Sequence, residues 1–167
     1  TTTNATISNA FGGTVATFSN TGVYRKSGAS TITTISNITF NNTSSSVDTG
    51  VVDVKNGTMN FAGGGSANSG STFTGASGTS LGFGGGTYSL DVGSSVSVAT
   101  VAFLTGTTNI NGAYSATTAT TASSGGDVNF NPGATVNSVG ALTISNGSST
   151  VTFSTGNPIA LPTLTLS

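Results

Sequence analysis

Short runs in which apolar and polar residues alternate follow one another along almost the whole chain. Clear examples are Tyr88-x-Leu90-x-Val92, Val96-x-Val98, Val101-x-Phe103, Leu142-x-Ile144 and Val151-x-Phe153. Glycine, asparagine and serine separate the runs, and β-branched residues are frequent within them. Side chains of a strand alternate between two faces, whereas a helix needs an apolar spacing of three and four residues, which does not persist here. The pattern predicts an all-β protein built from short strands.

A phenylalanine returns at nearly even intervals of 22, 21, 22, 20, 27 and 23 residues. The residues are Phe18, Phe40, Phe61, Phe83, Phe103, Phe130 and Phe153. An apolar residue stands two positions before each of them. Glycine stands three positions after five of the seven, at Gly64, Gly86, Gly106, Gly133 and Gly156. A repeat of this length is typical of an array of stacked supersecondary units.

Each interval also contains two further apolar zones, roughly five to nine and eleven to fifteen residues after the phenylalanine. Three short strands in about 22 residues predict a single-stranded parallel β-helix (solenoid) of about seven coils, and we expect it to span residues 1–167. Successive coils would lie about 4.8 Å apart, so that the phenylalanines stack inside and the following glycine turns a corner. The alternative, a β-sandwich, needs turns every 8–12 residues and no such period.

The longest interval contains a stretch without large apolar residues, SATTATTASSGG, at Ser115–Gly126. We predict that this stretch is a loop extruded from the rod, or else a loosely packed face. Insertions in repeat arrays often gather on the binding face, which makes Ser115–Gly126 the local candidate for a function beyond that of a scaffold. The alternative is an irregularity of length without functional meaning.

Charged residues make up only 4% of the chain, against about one-quarter of an ordinary domain. The chain has no Glu, His, Cys or Trp. This composition excludes a basic nucleic-acid footprint, a disulfide framework and a thiolate metal site. The 34% of apolar residues, placed in register, argue against disorder. The seven charged residues are Arg25, Lys26, Lys55, Asp48, Asp53, Asp91 and Asp127.

Few of these residues suit catalysis. Asp48 with Asp53, or Asp48 with Asp91 from another coil, is the candidate carboxylate pair of a sugar-cleaving β-helix enzyme. A Ser or Thr nucleophile would lack a histidine base. We therefore predict that the protein is not an enzyme and has no catalytic, cofactor-binding or metal-binding residue.

Three weaker binding patterns are present. Asp91 and Asp127 stand in glycine-rich stretches that faintly resemble a calcium-binding nonapeptide, but the spacing fails, and solvated corner aspartates are the preferred interpretation. Five Thr-x-Thr pairs raise the possibility of ice binding, but they are scattered between the three zones. Tyr24-Arg25-Lys26 is a candidate contact for an anionic surface glycan, with an exposed strand edge as the alternative.

The stretch from Ala16 to Gly65 resembles the degenerate repeats of filamentous-haemagglutinin-type adhesins and autotransporter passenger domains of bacteria. The phrases FSNTGVYRK, TISNITFNN and VKNGTMNFAGG carry the resemblance, and the phenylalanine frame continues it to about Gly156. The resemblance implies a right-handed parallel β-helix that is secreted and serves as a stalk, adhesive rod or fibre. It supplies no catalytic residue. This chain is much shorter than such proteins usually are.

We therefore expect a non-catalytic structural segment of a secreted or cell-surface adhesin shaft or extracellular fibre. A glycan- or ice-binding β-helix module is the alternative, and a polysaccharide-cleaving enzyme is a weaker one. Thr1–Thr3 and Leu161–Ser167 read as ordinary coil sequence rather than caps, and the chain begins without Met. We expect a processed piece whose partners are flanking coils of the same chain or further copies stacked end to end. Surface glycans are a further expected partner, whereas nucleic acid, membrane insertion and cofactors are not expected.

Overall fold

A computed structural model describes residues 3–167, and every regular element in this range is a β-strand. Thr1 and Thr2, part of the predicted uncapped end, lie outside the described residues. Within residues 3–167 no helix is long and apolar enough to cross a membrane. The strands are β1 Ala5–Ser8, β2 Ala16–Asn20, β3 Val23–Lys26, β4 Ile32–Ser36, β5 Ile38–Asn42, β6 Val51–Val54, β7 Thr58–Ala62, β8 Gly65–Ala67, β9 Thr72–Gly75, β10 Ser80–Leu90, β11 Ser95–Ile110, β12 Ala113–Ala122, β13 Gly126–Phe130, β14 Thr135–Ser138, β15 Ala141–Ile144, β16 Val151–Phe153 and β17 Thr163–Leu166.

The strands pair in parallel and form three faces. Face A contains β1, β4, β7, β15 and β17, with residues 80–83, 100–103 and 119–122 of the three long strands. Face B contains β2, β5, β8, β13 and β16, with residues 87–90 and 106–110. Face C contains β3, β6, β9 and β14, with residues 95–98 and 113–116. The chain runs A, B, C and repeats this path for about seven turns, which confirms the predicted parallel β-solenoid.

Aromatic rings fill the interior, as the sequence predicts. The rings of Phe83 and Phe103 stack at a centroid distance of 6.0 Å, and those of Phe130 and Phe153 at 4.9 Å. The rings of Phe40 and Phe61 lie 4.3 Å apart, although the two residues belong to different faces. The core is therefore continuous along the axis.

The phenylalanines do not occupy one equivalent position in every coil, and this part of the prediction is wrong. Phe61, Phe83 and Phe103 are paired along face A. Phe18 pairs with Phe40, and Phe130 with Phe153, on face B. The coils differ in length, whereas the phenylalanines are spaced almost evenly along the sequence. Where a coil is longer or shorter than this spacing, the next phenylalanine falls on a different face.

Ser115–Gly126 is not an extruded loop. Most of it belongs to β12, which pairs with β11 on one side and with β14 and β15 on the other. Ala116, Thr120 and Ala122 point inward and are buried. Large residues are unnecessary at these positions because the ring of Tyr114 enters the same part of the core, 6.3 Å from that of Phe103. The stretch is a regular part of the wall, with small interior side chains.

The strand-free segments lie at other corners. Residues 9–15 join face A to face B in the first turn, whereas Asn37 alone makes the same corner between β4 and β5. Residues 43–50 make a long corner between faces B and C, and residues 154–162 separate β16 from β17. The long corners thus lie towards the two ends of the described rod.

Glycines turn the corner from face A to face B, as predicted from the phenylalanine frame. Gly86 and Gly106 have φ angles of 65° and 73°, in the left-handed region that favours glycine. A Cβ atom on Gly106 would overlap the carbonyl oxygen of Gly86 in the neighbouring coil. Gly133 differs, because it follows a face B phenylalanine and has no positive φ.

Candidate functional site

Charged side chains of the first two turns gather around one carboxylate on face C. Arg25 on β3 is paired in register with Asp53 on β6, and its Nε donates to Asp53 Oδ2 at 2.8 Å. Lys55 Nζ lies 3.2 Å from the same oxygen. Asp53 is buried, whereas the side chains of Arg25 and Lys55 are about half exposed. The cluster connects two adjacent turns.

The pKa of Asp53 reflects two opposing effects. Burial by itself raises the pKa, but the hydrogen bonds from Arg25 and Lys55, together with their charges, lower it below the ordinary value. A general acid needs a raised pKa near neutral pH, so the surroundings of Asp53 do not suit that role. They suit a permanently ionised carboxylate that holds two cations.

The candidate partner, Asp48, lies in a different setting. It is exposed in the long corner 43–50, where its backbone nitrogen donates to Ser45 Oγ at 3.1 Å. Asp91 is likewise exposed, in a turn where Ser94 Oγ donates to its carbonyl oxygen at 2.7 Å. None of these contacts joins two carboxylates.

Tyr24, Arg25 and Lys26 do not form the contact strip that was the candidate for an anionic glycan. Strand alternation turns Arg25 outward and its two neighbours inward. The ring of Tyr24 packs at 5.5 Å from that of Phe18, and burial raises the pKa of the tyrosine. Lys26 is buried, and its Nζ donates to the carbonyl oxygen of Ala29 at 3.3 Å. Of these three residues, only Arg25 presents its side chain on the outer surface of face C.

Asp127 also bridges neighbouring turns. Its Oδ1 accepts hydrogen bonds from the backbone nitrogen and the hydroxyl of Thr150, at 2.9 and 2.6 Å. Among residues 3–167 no group of three or more His, Cys, Asp or Glu side chains could hold a metal ion. Its observed contacts give Asp127 a structural role.

The Thr-x-Thr pairs are distributed over several faces, as the sequence predicts. Thr163 and Thr165 lie on face A, Thr72 and Thr74 on face C, and Thr120 points into the core. The sequence pattern did not, however, identify a row of uncharged residues on the outer side of face A. Only the register of the paired strands shows that these residues are aligned. The row consists of Thr6, Thr34, Asn60, Gly82, Ala102, Thr121, Thr143 and Thr165.

Two shallow grooves lie at corners. The first, which we call the corner groove, has a volume of about 390 Å³ and lies where face A turns into face B. It is lined by Asn9, Gly12, Gly13, Val15, Asn37, Ala62, Gly63, Gly85 and Gly86. The second, of about 210 Å³, lies between faces C and A and is lined by Gly75, Ala76, Ser77, Ser97, Val98, Ala99 and Thr117. No pattern in the sequence indicates either groove, because each is formed by corners that are distant along the chain.

Comparison with known proteins found no matching family model, no matching curated protein and no matching solved structure.

Proposed function

We propose that the chain is a non-catalytic shaft segment of a secreted or cell-surface adhesin, or of an extracellular fibre. The observation that carries the proposal is the continuous core of aromatic and aliphatic side chains through about seven parallel turns. Each turn of a solenoid contacts only its neighbours, so length and stiffness grow with the number of turns. The extracellular location is part of the same proposal and rests on the sequence resemblance to adhesin repeats.

The proposed partners are further coils of the same kind, in the same chain or in additional copies. The first and last strands, β1 and β17, both lie on face A, and each pairs with one neighbouring strand among the described residues. Ile7, Leu164 and Leu166 are 42%, 50% and 69% exposed, although the positions paired with them in the interior turns are mostly buried. Another parallel strand would cover these apolar side chains and satisfy the open strand edges.

Electron microscopy combined with sedimentation at increasing protein concentration tests the proposal. A shaft or fibre segment gives thin rods, either single or extended end to end. The variant Leu166→Asp should prevent end-to-end growth, and Val47→Asp, at an exposed corner rather than on an end strand, should leave it unchanged. Compact particles without an elongated axis would contradict the proposal. So would cleavage of polysaccharides that Asp53→Asn abolishes.

Ice binding is a second candidate, favoured by the outward row of face A. Thr121, Thr143 and Thr165 follow one another in three successive turns, at the regular spacing of paired strands. Such a surface offers evenly repeated hydroxyl and methyl groups without charge. Thermal hysteresis that Thr143→Lys removes would support this candidate, and growth of ice unaffected by the wild-type protein would reject it.

A further inference from the structure

The corner groove owes its existence to an insertion in the first turn. Residues 9–15 leave the wall between β1 and β2, whereas a single residue, Asn37, makes the same corner one turn later. The inserted segment supplies one side of the groove with Asn9, Gly12, Gly13 and Val15. Insertions of this kind are where repeat proteins commonly carry binding sites.

The floor of the groove is almost free of side chains. It consists of Ala62, Gly63, Gly85 and Gly86, which belong to the corners of the third and fourth turns. A Cβ atom on Gly63 would overlap the backbone of Ile38, so the absence of a side chain there is required by the packing of the coils. The groove is therefore a fixed depression with a floor made largely of backbone.

The polar side chains that line the groove are two amides. Asn9 Nδ2 donates to the carbonyl oxygen of Thr14 at 3.2 Å, which fixes the orientation of its amide. Asn37 is exposed, has a φ of 54°, and makes no side-chain hydrogen bond to any described residue. Its amide can both donate to and accept from a bound molecule.

The inserted segment also carries the most exposed aromatic ring among the described residues. Phe11 does not itself line the groove, but it is next to Gly12, which does. It is 101% exposed, whereas nearly every other phenylalanine packs in the core. An aromatic ring exposed to water would be stabilised by packing against an apolar surface, because its own apolar area would then be buried. The C–H face of a sugar ring is such a surface, and its hydroxyls match amide donors and acceptors.

Charge narrows the class of ligand. No ionisable side chain of residues 3–167 lines the groove, so a charged group bound there would lose water without gaining a counter-charge. The volume of about 390 Å³ lies within the range of small-molecule sites, about 300–1,000 Å³. We propose that the corner groove binds a neutral sugar unit of a glycan, with the Asn9 and Asn37 amides on its hydroxyls and Phe11 against its C–H face. The site adds an adhesive function to the rod and does not depend on the proposed shaft role.

Titration of the full chain with lactose, maltose, cellobiose and diacetylchitobiose, followed by NMR or calorimetry, tests the site. We expect at least one of these neutral sugars to bind, and Phe11→Ala to weaken that binding about tenfold, in line with the loss of a buried aromatic contact. Asn37→Gly should weaken it similarly, because glycine keeps the positive φ while removing the amide. Ala62→Leu should also reduce binding, by filling the floor.

The matched control is Val47→Ala, which changes an exposed apolar residue in the other long corner and should alter affinity less than twofold. All four substitutions lie at exposed or half-exposed positions, and unchanged thermal melting would show that the fold persists. The inference is overturned if none of the four sugars binds, or if sialyllactose binds and the neutral sugars do not. It is equally overturned if Phe11→Ala abolishes a dimer of the wild-type chain, because the ring would then be covered by a second copy. None of these outcomes bears on whether the molecule is a rod.

Discussion

Buried polar side chains connect neighbouring turns of this molecule where their hydrogen-bond partners lie one coil away. Asn20 Nδ2 donates to Asn42 Oδ1 at 2.8 Å, and Asn42 Nδ2 donates to the carbonyl oxygen of Thr72 at 3.0 Å. Among residues 3–167 no buried side-chain nitrogen or oxygen lacks a partner. Such groups contribute to register as much as to stability, since a shifted coil would leave them unpaired.

Replacement of Asp53 by Asn should lower the free energy of unfolding by about 1 kcal/mol at pH 7, because the partners of Asp53 are half exposed and screened by solvent. The pKa of Asp53 is lowered in the folded state, so its contribution is fully present above its unfolded pKa of about 4 and is lost as the pH falls through the lower folded value. Urea unfolding at pH 7 and pH 3 measures the effect. The difference between wild type and Asp53→Asn should shrink at pH 3, and a difference that grows in acid would contradict this assignment. Asp48→Asn, at an exposed position, is the control.

The Tyr114 hydroxyl and Thr120 Oγ1 form a buried pair at 2.8 Å. Burial raises the pKa of Tyr114, and the hydrogen bond with Thr120 opposes this only in part. Tyr114→Phe should cost about 1–3 kcal/mol, because it leaves the threonine hydroxyl buried without a partner. The double variant Tyr114→Phe/Thr120→Val should recover much of that loss, since no unpaired polar group remains. A double-mutant cycle by chemical denaturation measures the coupling, and strictly additive effects would show that the pair is not coupled.

At the scale of strands and corners, the alternating pattern correctly predicts β-structure, parallel coils and interior phenylalanines. It does not predict register, because corner lengths vary and corners have no apolar signature. The wrong prediction at Ser115–Gly126 has the same cause: small residues such as Ala116 and Ala122 fill the core beside Tyr114, and small residues in a sequence resemble a loop. The corner groove was equally unpredictable, since Asn9, Asn37 and Gly85 come from the first, second and fourth turns and meet only when these turns are stacked.

Two corner glycines with similar φ angles allow a matched comparison of glycine-to-alanine substitutions. Gly106 and Gly78 have φ angles of 73° and 77°, but a Cβ atom on Gly106 would overlap the Gly86 carbonyl. A Cβ atom on Gly78 would have no atom of the described residues within 4 Å, other than those of its chain neighbours. Gly78→Ala should cost about 1–2 kcal/mol, the ordinary penalty of a left-handed residue. Gly106→Ala should cost clearly more, because two coils must separate. Thermal or urea unfolding of both variants compares them, and equal losses would mean that the corner can relax.

The molecule as a whole is a stack of turns, since strands contact mainly the turns above and below them. The fold should therefore tolerate a change in the number of interior turns, provided that the side chains keep facing the same way.

Deletion of Leu81–Thr100 tests this property. The cut joins Ser80 to Val101, which takes the place of Leu81 because the two residues are paired in register. We expect a cooperatively folded protein whose rod is about 4.8 Å shorter by small-angle scattering. Deletion of Leu81–Ala99 is the control, because it places Thr100 at the interior position and turns the following residues of that strand to the wrong side. Similar melting of both variants would contradict the importance of register.

The hydrogen bonds between turns run along the axis of the rod, and this direction governs its response to tension. A pull on the two ends opens the bonds of one turn at a time instead of shearing many strands together, so the molecule should yield at low force and in small, repeated steps. Each step would release the chain of one turn, up to about 3.3–3.6 Å for each residue freed. A fibre built from such turns would absorb a sudden load by unfolding turn by turn and becoming longer. Rupture in a single event in a single-molecule extension experiment would exclude this behaviour.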